Sequence, residues 1–247
     1  MHPLQYFERI YVINLPSRED RRREICRQLN AHGIDLYGSG VELFPGVRPD
    51  SAGGFRSVGA RGCFMSHLAI LQQAVIRKYK RILILEDDLN FVPDFGPRSL
   101  ACINQLEHTR WHFFYGGHGC SRRAVLRPGL QLVPPTEGLS QTHFIGLCVP
   151  AIQRAETCLT EMLSRPAGHP EGGPMDVDGA YTWVRRRNPE FITLVAVAPL
   201  GYQRASRADI SELSWFDKYP GIRSLARFAR YGKNRIQSTL LAMKSVR

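Results

Sequence analysis

Apolar residues recur along this chain in two rhythms, short unbroken runs and three-to-four-residue spacings, and the alternation between them predicts an α/β fold. Residues 10–15, mostly β-branched or aromatic and stopped by Pro16, read as a buried strand followed by a loop. Ser17 then reads as an N-cap ahead of Glu19 and Asp20, with Ile25, Cys26 and Leu29 at helical spacing. Residues 38–62 hold seven glycines and two prolines, which predicts a long loop or a set of turns. Helical periodicity returns from Phe64 through Leu68, Leu71, Ala74 and Val75, and Lys78 to Arg81 place positive charge at its end.

Ile82, Leu83, Ile84 and Leu85 form an uninterrupted apolar run of the kind found in a central parallel strand, and it ends in Glu86, Asp87 and Asp88. Further strands are expected within residues 111–115, 144–149 and 191–198, and helices within 97–106, 151–164 and 175–186. Five or six strands suit a single mixed sheet covered by helices better than an eight-fold barrel. At 247 residues the chain is long enough for one such domain.

Charge adds a partition. The chain carries a formal net charge of +11, which points towards an anionic partner. Residues 217–247 contain eight basic residues and one acid, a net of +7 that leaves +4 for residues 1–216. Ile222, Leu225, Ala226 and Ala229, then Ile236, Leu240 and Met243, recur there at helical spacing, so the tail reads as a basic amphipathic segment beyond a catalytic-sized domain. Either it is solvated or it rests on anionic lipid headgroups. No RNP, helix-turn-helix or zinc-finger pattern accompanies the charge, which argues against nucleic acid as the partner. Six dispersed cysteines and no apolar run of membrane-spanning length predict reduced thiols and a cytoplasmic setting, with contact at the inner face of the membrane through the tail. His108, His112, His118 and Cys120 lack the pair spacing of a zinc site.

The acids after residue 85 carry the chemistry. Open α/β sheets bind ligands beyond the carboxyl ends of their strands, which is where Glu86, Asp87 and Asp88 are expected. On an extended chain Glu86 and Asp88 share one face, and two carboxylates on one face suit a hard divalent ion such as Mn²⁺ or Mg²⁺ that shares its remaining positions with phosphates. The alternatives are acids that cap a turn or meet arginines, and a metal-dependent phosphotransfer enzyme, although the residues after Asp88 lack the pattern of a phosphatase with an aspartyl nucleophile.

Four blocks, in order, resemble glycosyltransferase family 25, which includes lipooligosaccharide and collagen galactosyltransferases. They are Val12 to Arg18 with Asp20, Arg21 and Arg22; Gly59 to His67; Ile84 to Asp88; and Gln203 to Ile210. Ala60 replaces a usual Glu, and Ala208 a common Ser. The resemblance implies a GT-A-like nucleotide-sugar-binding fold, a single mixed and mostly parallel sheet flanked by helices. It implies an enzyme, a hexosyltransferase that moves galactose from UDP-galactose to a saccharide acceptor of a lipopolysaccharide or other surface glycan.

Under that resemblance Glu86 and Asp88 are the metal candidates, Asp209 is a third, and Asp87 bonds the ribose or donor sugar. Asn14, Arg18 and Arg21 meet the nucleotide diphosphate near a helix N-terminus. Ser66 and His67 are donor-binding candidates, His67 having a purely structural role as its alternative. Inverting transfer requires a general base, and Asp176 and Asp178 after Gly172, Gly173 and Pro174 are the candidates, helix capping being the other reading. His143 falls where the family often has Thr-His before a strand. The non-enzymatic rival is a basic surface-binding protein whose three acids are structural.

Overall fold

The structure, a computed structural model, describes residues 2–119 and 129–204. Seven strands form one sheet in the order β2-β1-β3-β7-β5-β8-β6. They are β1 (Arg9–Asn14), β2 (Val41–Pro45), β3 (Arg81–Glu86), β5 (Phe113–Tyr115), β6 (Leu130–Val133), β7 (Phe144–Cys148) and β8 (Thr193–Ala196). Two short strands, β4 (Leu89–Phe91) and β9 (Gly201–Gln203), pair antiparallel beside it. β1, β2, β3, β5 and β8 run one way, while β7 and β6 run against them. The expected mixed, mostly parallel α/β class is the one observed.

The period-two alternation of the strands sorts their side chains onto two faces. Tyr11, Ile82, Ile84, Phe113, Tyr115, Ile145 and Leu147 point into a core shared with helices α2 (Val58–Ile76), α4 (Ala151–Ser164) and α5 (Val177–Arg187). Ile10, Val12, Leu83, Leu85, Phe114 and Phe144 point the other way, onto α1 (Glu19–Asn30) and α3 (Phe95–Glu107). Leu83, Ile84 and Leu85 are fully buried, as an unbroken apolar run in a sheet covered on both faces requires.

Several expectations are corrected. Arg18, not Ser17, precedes α1, and no side-chain bond caps that helix. The glycine-rich stretch is not all loop. Val41 to Pro45 pair in register with Ile10 to Asn14 as an edge strand, whose half-exposed residues leave no continuous apolar run to read. Helix α2 begins six residues before Phe64, because Ser57 caps it by accepting from the Ala60 N–H at 3.0 Å. Gly62 sits inside that helix where an added Cβ would strike the Val47 carbonyl oxygen, so this glycine serves close packing rather than a turn. Edge strand β6 and the β4–β9 ribbon have no counterpart among the sequence expectations. The tail at 217–247, Asp209, Cys120 and most of the fourth sequence block lie outside the described residues.

Candidate functional site

Parallel pairing brings the carboxyl ends of β1 and β3 to one edge of the sheet, and antiparallel β7 starts from the same edge, with Glu86 N–H donating to the His143 carbonyl at 3.1 Å. The strand ends at Glu86 and Asp87–Asp88 turn, so the extended alternation expected of the three acids stops there. Each carboxylate is held differently. Asp87 accepts from Asn14 Nδ2 at 2.7 Å and from Arg21 at 3.0 Å. Asp88 accepts from Gln203 Nε2 at 3.1 Å, and Arg21 stands 3.8 Å from it. Glu86 accepts from Thr142 Oγ1 at 2.8 Å and lies 3.6 Å from His67 Nε2.

Residues 203–204 close over this turn. The Arg204 backbone N–H donates to the Asp88 carbonyl at 2.7 Å, while its guanidinium donates to the Asp87 carbonyl and to Asn90 Oδ1, both at 3.0 Å, and lies 2.8 Å from Glu24. The ribbon between β4 and β9 thus pins the acidic turn from above. Gly117, after β5, faces His143 Nε2 so closely that an added Cβ would collide with it, and His143 is itself buried.

The electrostatics follow from burial. Burial, then the neighbouring Glu86 charge, pushes the Asp88 carboxyl up to about 7. Burial also raises Asp87, against the opposing pull of Arg21 and Asn14. Burial disfavours ionisation of Glu86 as well, but the neighbouring His67 imidazole and the Thr142 hydrogen bond outweigh it, and its carboxyl lies below the usual range. Asp88 Oδ1 is buried without a hydrogen-bond partner among the described residues. A buried carboxylate oxygen left bare, among three adjacent acids, is an unfavourable arrangement that a hard cation relieves. The bare Asp88 oxygen is a donor of the kind that Mn²⁺ or Mg²⁺ accepts, while Glu86 points toward His67 and Cys63.

The remaining candidates are placed as follows. Asn14 is buried and bonds both Asp87 and, at 3.2 Å, the Arg18 carbonyl. Arg18 grips Asp20 through two bonds of 2.9 Å, and that bond leads in holding the Asp20 carboxyl down at about 2. Arg21 reaches the acidic turn itself. Ser66 accepts from Val47 N–H at 2.8 Å and donates to the Gly62 carbonyl at 2.7 Å, joining the segment after β2 to helix α2. His67 is fully buried, with Nδ1 3.1 Å from the Tyr181 hydroxyl. Asp176 precedes α5 without capping it and pairs with Arg56 at 2.7 Å. Asp178, in the first turn of α5, accepts from Gly179 N–H at 2.7 Å. The Cys63 thiol is pushed up first by burial and then by the charges of Glu86, Asp88, Asp178 and Asp176 in that order.

Sequence reasoning passed over Cys63, Tyr181 and the direct contacts of Gln203 and Arg204. A signal for Cys63 was present, since it stands one helical turn before His67, but it emerges only once α2 is known to start at Val58.

A match to a known family covers the end of β3 at this edge. Residues 41–121 match the family model described as glycosyltransferase family 25 (LPS biosynthesis protein), a span that contains the second and third sequence blocks. Procollagen galactosyltransferase 2 of Homo sapiens is 24% identical over 156 residues, which cover 56% of this chain and 24% of that protein. A glycosyltransferase 25 family member of Drosophila melanogaster is 32% identical over 118 residues, 41% of this chain and 19% of that protein. The inactive glycosyltransferase 25 family member 3 of Homo sapiens is 29% identical over 129 residues, 45% of this chain and 22% of that protein. The chain thus spans about a quarter of the length of the curated relatives it matches. A solved glycosyltransferase involved in glycosylation of the major capsid of PBCV-1 aligns over 76% of this chain and 90% of its own, at 14% identity and a TM-score of 0.35. Residues 41–121, with the second and third sequence blocks, thus match glycosyltransferase family 25, and relatives named as members of that family are similar to part of the chain.

Proposed function

We propose that this chain is a metal-dependent hexosyltransferase that moves galactose from UDP-galactose to a saccharide acceptor of a lipopolysaccharide or related surface glycan, with inversion. The observation that carries the reading is the acidic turn at the end of β3, where Asp88 keeps a buried carboxylate oxygen without a partner among the described residues, beside Arg21. A divalent cation held by Glu86 and Asp88 would supply positive charge where the leaving diphosphate accumulates negative charge. Arg21 serves the same end from α1, and its bond to Asp87 fixes it at the turn. Asn14 holds Asp87 in place, leaving Asp87 oriented at the mouth of β1 and β3 for a ribose or sugar hydroxyl.

Asp176 and Asp178, at the start of α5, are the acids proposed to take a proton from the acceptor hydroxyl. Asp176 is engaged by Arg56 at 2.7 Å, and Asp178 accepts from the backbone N–H groups of Gly179 at 2.7 Å and Gln141 at 3.4 Å.

The name of one relative, an inactive member, supports a second reading in which the chain binds a sugar nucleotide without turning it over. The discriminating experiment measures transfer from a panel of UDP-sugars to glycan acceptors, with and without Mn²⁺, for wild type and Asp88→Asn. The enzyme reading expects cation-dependent transfer that drops about 10²-fold or more in the variant, the scale of losing one group that stabilises transition-state charge. Donor binding without any transfer favours the second reading. Transfer that is equal in the variant removes Asp88 from the site.

The acceptor proposal extends to residues 217–247, whose net charge of +7 suits an anionic membrane surface at the cytoplasmic face. Among the described residues no helix is long and apolar enough to cross a membrane.

A further inference from the structure

Three side chains of different chemistry meet beneath the acidic turn. Cys63 and His67 lie one turn apart on α2, Glu86 ends β3, and their ligand atoms all lie within 4.8 Å of one another. His67 is fully buried, and its Nε2, 3.6 Å from a Glu86 oxygen, has no hydrogen-bond partner among the described residues. The opposite ring nitrogen, Nδ1, is 3.1 Å from the Tyr181 hydroxyl. Thr142 bonds Glu86 at 2.8 Å. A thiol, an imidazole nitrogen and a carboxylate converging in this way are the donor set of a borderline-soft cation rather than of Mg²⁺.

We propose that Cys63 Sγ, His67 Nε2 and Glu86 form a three-ligand site for a thiophilic divalent cation, with Zn²⁺ as its type. The supporting shell is already built: Tyr181 contacts Nδ1, so that with the ring proton on Nδ1 the Nε2 lone pair would be free for the metal, while Thr142 bonds the carboxylate. On binding, Cys63 gives up its thiol proton to solvent and the thiolate takes its place as a ligand; the imidazole and carboxylate bind without losing a proton. Three protein ligands leave one position of a tetrahedral ion open. Glu86 keeps 14% of its side-chain surface accessible, so an ion reaches the cluster from the edge of the sheet.

The consequence for function rests on the hexosyltransferase reading above. Glu86 belongs to both sets, so a thiophilic ion withdraws it from the hard-metal pair with Asp88 and opposes transfer. The binding claim itself needs no donor sugar.

The purified full chain, freed of metal, is titrated with Co²⁺ and then Zn²⁺. The expected result is one equivalent of Co²⁺ with a thiolate-to-cobalt charge-transfer band, displaced by Zn²⁺. Cys63→Ser abolishes the band, Tyr181→Phe weakens Zn²⁺ binding by about 10-fold or more, and Asp88→Asn keeps the band. Absence of the band in wild type overturns the site without reference to any variant. A band that survives in folded Cys63→Ser, as judged by circular dichroism, assigns the ion to another cysteine and overturns it equally. Inhibition by Zn²⁺ of Mn²⁺-dependent transfer is read separately: a chain that binds Zn²⁺ yet transfers no sugar keeps the site and loses the enzyme reading.

Discussion

Gly62 shows how much one residue decides here. Within an exposed helix interior, alanine in place of glycine is favourable by up to about 1 kcal/mol. At this position, however, a Cβ meets the Val47 carbonyl oxygen, a backbone atom that cannot swing aside. The steric effect wins, and Gly62→Ala is expected to lose about 1–3 kcal/mol in urea-monitored unfolding, the range for overpacking a tight contact. Because Ser66 also bonds the Gly62 carbonyl and the Val47 N–H, the same substitution displaces the segment after β2.

His112 provides a titratable counterpart. Its Nδ1 accepts from the Ile192 N–H at 2.9 Å and its ring stacks on Phe191, so the native state requires a neutral imidazole. Burial, with Arg110 second, lowers its pKa from 6.5. The unfolded chain therefore takes up a proton before the native state does, and the stability due to His112 is lost as pH falls below 6.5. The raised carboxyls of Asp87 and Asp88 act in the opposite sense, so the imidazole is isolated by difference. Wild type is expected to lose its stability advantage over His112→Asn between pH 7.5 and 5.5, read as converging urea midpoints. A constant gap across that range removes the linkage.

At the scale of elements, helix α2 and the β4–β9 ribbon do most to assemble the edge. Ser57→Ala removes the bond to the Ala60 N–H and is expected to cost about 1 kcal/mol by the same unfolding measurement, typical of an N-cap. Its effect on function is expected to be small, since the site residues of α2 lie one and more turns further on. The ribbon is different, because Gln203 and Arg204 touch Asp88 and Asp87 directly. Arg204→Ala is expected to loosen the acidic turn and weaken Mn²⁺ binding, measured by calorimetry, with secondary structure retained.

The legibility of elements tracked burial on both faces. Strand β3 was plain in the sequence because both faces of the sheet are covered, which demands apolar residues at every position. Edge strands β2 and β6 carry mixed residues, and β4 and β9 are three residues each, too short for a period to declare itself. Glycine misled in one direction: as a marker of turns it hid the first six residues of α2, and with them the helical relation of Cys63 to His67.

Over the whole molecule, charge divides the chain into two parts. The first 216 residues hold a net +4, with Arg21 and Arg204 directed at the acidic turn, while +7 belongs to residues 217–247. Removal of that segment is expected to abolish sedimentation with anionic liposomes and leave transfer to a soluble acceptor intact. Unchanged sedimentation removes the membrane proposal without touching the donor site.

The amino-acid sequence by itself determined the α/β class, the central strand and the position of three acids at its carboxyl end, because strand burial and turn chemistry are local patterns. It determined equally that the basic charge is concentrated in the tail. Only tertiary structure decided that Glu86 faces His67 and Cys63 while Asp87 and Asp88 share Arg21, for the strand ends at Glu86 and alternation no longer applies. Only it brought residue 203 to residue 88, since that pairing spans 115 positions and leaves no periodic trace along the chain.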